Sequence, residues 1–384
     1  MKKLFLVALV AITAATLGFA SSQPEVTEWT VPFLNALTGP IASIGEYLDW
    51  GAQQAAREIN AAGGIKGTPV KIVGVDTALD PQLGSVKMAE IVEKSLVALG
   101  PVPENVIQAA MPIAVEAKMM SMTATTSYEY AAPYFPWTVS WFPPTEQRLG
   151  VLVAGWGKLH PDMKKVVQFV ENYGPWPGMA DAHVKGLQGL GMTVEKVEVP
   201  TDAVTFGPLV VKALDMKPDG IVFVCNASKI GLMVKELKGR GWTAMGKILV
   251  FSSGDAPELY STGGKDIDGV VVYNYINPFV DNPRWNVFKT AFKKDHKDME
   301  PFSLSPNYYD AVYMVKEAIE KTGVTGDPKK LAEERKKIAD YCANVKGFKG
   351  LQFDWDMKDG IPTNKPTYLF EIKDGKKVLL KEIR

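Results

Sequence analysis

Trp29-Thr30-Val31-Pro32-Phe33-Leu34 is an apolar run of strand length, and the loop Leu37-Thr38-Gly39-Pro40 follows it. Next come residues 46–62, which carry Leu48, Ala52, Ala55, Ala56, Ile59 and Ala62 at helical spacing and stop at Gly63-Gly64. Val70 to Val75 is a second apolar strand. A strand, an amphipathic helix closed by glycine and another strand form a unit that buries its apolar faces in a parallel sheet covered by helices.

Outward from this unit the alternation continues. Asp80-Pro81 caps a helix bearing Val86, Ala89, Ile91 and Val92, with the proline at a favoured first-turn position. Leu96 to Leu99 and Met120 to Thr123 read as strands on either side of a helix over Glu104 to Met119. Further strands are expected at 166–170, 193–199, 220–225, 247–252 and 269–273, and helices at 145–158, 177–189, 206–215, 228–240, 283–295, 306–321 and 328–344. One sheet of so many strands would be unusually wide, so two α/β lobes are the economical arrangement. The end of the chain differs. Gly350 to Trp355 and Thr367 to Ile372 read as short strands, and Asp374-Gly375 turns into Val378 to Ile383, a hairpin expected as an appendage to one lobe.

The chain begins Met1-Lys2-Lys3, then runs from Leu4 to Ala20 without a charge, and Gly18-Phe19-Ala20 places small residues where a signal peptidase reads. Residues 1–20 are therefore expected to be a secretory signal peptide, and no cysteine near the cut offers a site for lipid attachment. The 384 residues are 46% hydrophobic and 22% charged, which fits a packed globular protein and excludes a disordered one. Basic and acidic residues both number 43, so nothing in the charge balance marks a nucleic-acid or anionic-membrane partner. Beyond the leader no uncharged stretch is long enough to insert in a membrane. Cys225 and Cys342 are expected in different lobes as separate buried thiols.

Motifs for catalytic chemistry are largely missing from the chain. Gly186, Gly189 and Gly191 close a helix ahead of a strand, the wrong order for a dinucleotide fingerprint. There is no Walker loop, no His-Glu-x-x-His and no Cys-x-x-Cys, and Ser252-Ser253-Gly254 lacks the leading glycine of a nucleophile elbow. Three scattered histidines, His160, His183 and His296, make no metal site, and no cofactor is implied.

What remains is a set of polar loops at strand ends, where doubly wound folds hold their ligands. They are Leu37-Thr38-Gly39-Pro40 with Ile44 and Tyr47 just beyond, Thr123-Ala124-Thr125-Thr126-Ser127, and Ser252-Ser253-Gly254-Asp255. Hydroxyls and backbone N–H groups at helix starts hold carboxylates or phosphates, although the same residues also serve as plain caps. Tyr128 to Phe142 holds seven aromatic residues in fifteen. Most of these should pack the joint between lobes, with Tyr128 or Trp141 reaching the ligand.

These stretches resemble the periplasmic substrate-binding proteins of branched-chain amino-acid-type ABC importers, the leucine/isoleucine/valine-binding family. Leu37 to Pro40, Gly51 to Gly67, Val75-Asp76 with Asp80-Pro81, Tyr173-Gly174, Asp219-Gly220 and Tyr308-Tyr309-Asp310-Ala311 carry the likeness across the mature chain. It implies a periplasmic binding protein fold of type I: two doubly wound parallel-sheet lobes, a ligand cleft between them and a three-crossing hinge. Lobe one would be 24–142 plus 274–349, and lobe two 143–273 plus 350–384. The resemblance implies that Thr123, Ala124 and Thr125 grip the ligand's carboxylate and ammonium, that Tyr173 lines lobe two, and that the first loop sets a side chain near Ile44 against the ligand.

Two departures affect specificity. Gly100-Pro101-Val102-Pro103 stands where the family has paired small hydroxyl residues, leaving Val102 at the ligand. Ser253 matches the position of the acid that meets the ligand ammonium, with Asp255 two residues on and Asn226 near another family contact. Either Asp255 substitutes or the ligand lacks an ammonium, and the second reading is favoured because an unpaired buried ammonium is costly. The resemblance implies a monomeric, non-enzymatic periplasmic receptor that delivers a small solute to a membrane permease. A solute-sensing module or a secreted α/β enzyme are the rival readings.

Overall fold

A computed structural model describes residues 26–39, 41–123, 128–173, 176–301 and 304–383. The expected signal peptide and most of the loop that follows Thr123 lie outside the described residues. β1 (Trp29–Asn35), β2 (Val70–Asp76), β3 (Val97–Leu99) and β4 (Met120–Met122) form a parallel sheet in the order β2-β1-β3-β4, joined by α1 (Ala42–Ala61), α2 (Pro81–Val92) and α3 (Glu104–Glu116). Leu48, Ala52, Ala55, Ala56 and Ile59 are the buried stripe of α1. Gly51 lets that helix touch a neighbouring backbone: a Cβ there would lie 2.3 Å from the Ser305 carbonyl oxygen. Asp80 caps α2 by accepting from the N–H groups of Gln82 and Leu83 at 2.7 and 3.1 Å.

The chain then leaves this sheet through the single turn α4 (Tyr128–Ala131) and builds a second α/β unit. In order, this unit is α5 (Thr145–Gly157), β5 (Lys165–Glu171), α6 (Trp176–Gln188), β6 (Thr193–Val199), α7 (Gly207–Asp215), β7 (Gly220–Val224), α8 (Ala227–Gly239), β8 (Ile248–Val250), α9 (Pro257–Gly263) and β9 (Val271–Asn274). Helices α10 (Pro283–Asp295), α11 (Ser305–Thr322) and α12 (Leu331–Ala343) go back to the first sheet. Trp50 of α1 meets Phe288 and Phe292 of α10 with ring centres 5.2 and 5.0 Å apart. Arg335 of α12 donates to the carbonyls of Val92, Ser95 and Ala117.

Two short ladders follow, β10 (Phe348–Lys349) with β11 (Asp354–Trp355) and β12 (Met357–Lys358) with β13 (Ile361–Pro362). The expected strand over Gly350 to Trp355 is thus a reversal, in which Leu351 N–H turns inward to Asp310 at 2.8 Å. Residues of this stretch stay with the first sheet's helices: Met357 and Gly360 donate to the carbonyls of Val345 and Ala343 at 2.8 Å. Only β14 (Thr367–Lys373) and β15 (Lys376–Ile383) reach the second sheet, whose order is β15-β14-β9-β8-β7-β5-β6.

β6, β5, β7, β8 and β9 are parallel, whereas β14 runs antiparallel to β9 and β15 to β14. The terminal hairpin is therefore not an appendage. It extends the second sheet, because the edge of β9 needs a partner and Leu369, Phe370 and Ile372 need burial. Strand order reverses between β1 and β3 in one sheet and between β5 and β7 in the other, so each lobe has its own switch point.

Candidate functional site

The first crossing departs from the carboxyl end of β4 and the second from the carboxyl end of β9, so both sheets turn their carboxyl ends toward one joint. The strand-end loops of the two lobes are therefore the facing walls.

On the first wall, Asn35 has no exposed surface and shapes the loop after β1, its Nδ2 donating to Gly45 O at 2.7 Å and its Oδ1 accepting from Ala36 N at 2.9 Å. Asp76 holds the same loop by accepting from Leu37 N, Ala78 N and the Thr38 hydroxyl at 2.9, 2.9 and 2.6 Å. Burial works against the charged form of Asp76, but the Thr38 hydroxyl and the N–H groups of Ala78, Leu37 and Thr38 outweigh it and hold the carboxyl below its ordinary value. The Thr38 hydroxyl is thus committed to the protein.

Ile44 and Tyr47 stand half-buried on α1, and Val102 is half-buried in the loop after β3. Gly100 opens that loop with φ 81°, and a Cβ there would lie 2.1 Å from Leu34 O, so no other residue fits. Thr123 is buried with its hydroxyl 3.4 Å from that of Thr138. Ala124 and Thr125 lie outside the described residues.

On the second wall, the Tyr173 ring is about half exposed and lies 5.1 Å from Trp176, which meets Phe251 edge-on at 5.2 Å. This aromatic ladder joins the loop after β5 to the loop after β8, where Ser253 is exposed and Ser252 buried. Trp176 went unmarked in the sequence, although an aromatic residue just beyond a strand-end loop was the signal for it.

Asp255 is turned into its own lobe. Its carboxylate has no exposed surface and accepts from the Tyr260 hydroxyl, Asn274 Nδ2 and Lys377 Nζ at 2.7, 2.7 and 2.8 Å. Asn226 is also occupied, its Oδ1 accepting from Ser228 N at 3.0 Å and Ser228 Oγ at 2.7 Å as the cap of α8. Tyr128 is half-buried against Phe135 at 5.9 Å. Trp141 has no exposed surface and packs edge-on against Trp355 in the joint.

Burial raises the Tyr47 hydroxyl above its ordinary value, and the carboxylates of Glu46 and, from the opposite lobe, Glu258 add to the shift. Beneath the second wall lies a buried polar chain that no motif announces. Arg148 of α5 sits 4.7 Å from the ring centre of Phe142 and 5.2 Å from that of Tyr275. His183 of α6 has Gln168 Nε2 3.1 Å from Nδ1 and the Tyr273 hydroxyl 3.0 Å from Nε2. Burial first, then the Arg148 guanidinium, pushes His183 down to about 3, so the imidazole is neutral. The hydroxyls of Ser252 and Tyr275 are buried without a hydrogen-bond partner among the described residues.

No group of histidine, cysteine or acidic side chains among the described residues could hold a metal ion. No helix among them is long and apolar enough to cross a membrane. Cys225 and Cys342 are buried free thiols.

Two switch-point sheets presenting loops to one joint, with aromatic and hydroxyl side chains on the walls, define a bilobed solute-binding protein. Residues 28–377 match the periplasmic binding protein family, and the chain belongs to that family. It is 27% identical over 326 residues to the Leu/Ile/Val-binding protein homolog 3 of Brucella melitensis, covering 83% of this chain and 86% of that one. A leucine-binding protein of Thermotoga maritima superposes with a TM-score of 0.75 at 24% identity, over 93% of this chain and 99% of that one. A solute-binding protein of R. palustris in complex with benzoate does so with a TM-score of 0.75 at 19% identity, over 92% and 96%.

Proposed function

We propose that this protein is the extracytoplasmic receptor of an ABC importer, closing its lobes on a small solute and passing it unchanged to the membrane permease. The solute is a carboxylate or amide with an apolar or aromatic body and no ammonium group. The observation that carries this reading is the state of Asp255, whose carboxylate is saturated by three donors of its own lobe and withdrawn from solvent. Ser253 on the exposed side of that loop offers a hydroxyl, which cannot balance an ammonium.

The Arg148 guanidinium lies buried at the base of lobe two, and Tyr173 with Trp176 offers apolar surface to a ring or branched chain. The fold accommodates such a body, since the R. palustris protein holds benzoate. Ile44, Tyr47, Val102 and Thr123 would supply the opposite wall, with Ala124, Thr125 and Tyr128 beside them. The reading includes removal of residues 1–20, release into the periplasm without a lipid, and a monomer whose lobes meet at the crossings, with the third crossing drawn near Lys365 to Thr367.

The test compares solutes that share a body. Thermal unfolding is followed with leucine, with 4-methylpentanoate (the same carbon skeleton without the ammonium) and with benzoate. A one-site ligand at a hundredfold excess over Kd adds about 2.7 kcal/mol, so a binder raises Tm by several degrees. Stabilisation by 4-methylpentanoate or benzoate but not by leucine is the expected result. Stabilisation by leucine alone would refute the ammonium-free solute.

A further inference from the structure

The first and third crossings meet at one side chain, and the second is tied in beside it. Lys365 lies just ahead of β14, in the third crossing, and its Nζ donates to Asn307 Oδ1 on α11 at 3.0 Å. The same ammonium sits 5.5, 5.4 and 5.2 Å from the ring centres of Trp141, Phe142 and Trp355. Trp141 and Phe142 belong to the first crossing, and Trp355 to the short ladder that precedes the third. Asp310, one turn beyond Asn307, holds Leu351 N–H at 2.8 Å.

The second crossing is tied in by an exchange of amides: Asn277 N donates to Gln352 Oε1 at 3.1 Å, and Gln352 Nε2 donates to Asn277 O at 2.9 Å. Ser140 N donates to Gly360 O at 2.8 Å, joining the first crossing to the third. Tyr275, Asn307, Asp310, Gln352, Trp355 and Lys365 line a cavity of about 10 Å3, room for a single water.

We propose that the Lys365 ammonium, backed by Asp310, pins the three crossings to lobe one as a single plate, so that closure rotates lobe two about bonds beyond the plate, at residues 143–144, 274–275 and 366–367. An aromatic cage around a cation loses its attraction when the cation is discharged. Burial pushes Lys365 down to about 8, opposed by the Asp310 carboxylate. Burial likewise pushes Asp310 up to about 6, opposed by Lys365 and Arg284. Tyr275 lines the same cavity, and Arg148 packs on the Phe142 ring that Lys365 also meets. The plate therefore loosens as pH rises through about 8. The inference takes the two-lobed fold as given and does not depend on which solute binds.

Hydrogen exchange of the full chain without added solute tests it. In Lys365→Met, the amides of Ser140, Asn277 and Leu351 should exchange about tenfold faster while those of β7 stay unchanged, and Lys365→Arg should restore protection. In the wild-type chain the same three amides, corrected for intrinsic rate, should lose protection between pH 7 and pH 9.5. If Lys365→Met fails to fold, this pH comparison decides alone. Unchanged exchange at the three amides, or an equal rise in β7, would overturn the pin.

Discussion

At Asp255 a single carboxylate carries the proposed choice between two ligand chemistries, and its partner comes from far along the chain. Lys377 lies 122 residues away and is itself mostly buried, with 17% of its side chain exposed. Asp255→Ala removes one member of this pair and leaves the ammonium, Asn274 Nδ2 and the Tyr260 hydroxyl without their acceptor. Stranding one half of a buried pair costs roughly 3 kcal/mol, and urea unfolding should register that loss. The double variant Asp255→Ala, Lys377→Met should recover part of it. A loss below about 1 kcal/mol, the range of an exposed pair, would mean that Asp255 is free to serve a solute after all. The sequence displayed the loop, since Ser252 to Asp255 is a polar cluster at the end of an apolar run. It could not display the role, because pairing with Lys377 leaves no periodic trace. Thr38 and Asn226 teach the same lesson: both stand in strand-end loops, Thr38 spends its hydroxyl on the Asp76 carboxylate, and Asn226 spends its Oδ1 capping α8.

At the scale of elements, spacing alone was enough for the strand-helix units, because each buries a stripe or face that recurs at its own period. β6 falls at 193–199 and α10 at 283–295, as the pattern predicts. The terminal hairpin was legible as a hairpin, and the resemblance put it with lobe two, but its pairing was not legible, since its partner β9 is fixed by topology rather than by neighbouring sequence. That placement has a measurable consequence. Phe370 has no exposed surface, and Leu380 on the outer strand is 40% exposed. Phe370→Ala should lower stability by about 3–5 kcal/mol, whereas Leu380→Ser should stay within about 0.5 kcal/mol. Denaturant midpoints with a common slope check both. Equal, small effects would mean that the hairpin is a loose attachment.

On the scale of the whole molecule, two buried titrating groups lie in different lobes and oppose each other. His183, in lobe two, keeps a neutral ring down to about 3, while the unfolded chain's imidazole takes its proton near the ordinary value of 6.5. Between those values the unfolded state binds more protons, so His183 makes stability fall as pH drops through that window. Asp310, in lobe one, is protonated in the folded state from about 6 downward but in the unfolded chain only near 3.8. Here the folded state binds the proton first, so Asp310 makes stability rise as pH drops from 6 to 3.8. A difference of one proton is worth about 1.4 kcal/mol per pH unit, and over the shared window the two terms largely cancel. Asp310→Asn keeps the Oδ1 acceptor for Leu351 and removes the titration together with the charge that backs Lys365. Its urea midpoint should therefore fall more steeply between pH 6 and pH 4 than that of the wild type, and His183→Gln should shift the slope the other way. The surface carboxylates drop out of both differences. The opposition also requires that the lobes unfold as one unit, as three crossings fastened to a common plate imply. Parallel profiles for all three chains would deny the burial of these charges, and two transitions, each answering to one substitution, would deny the shared joint.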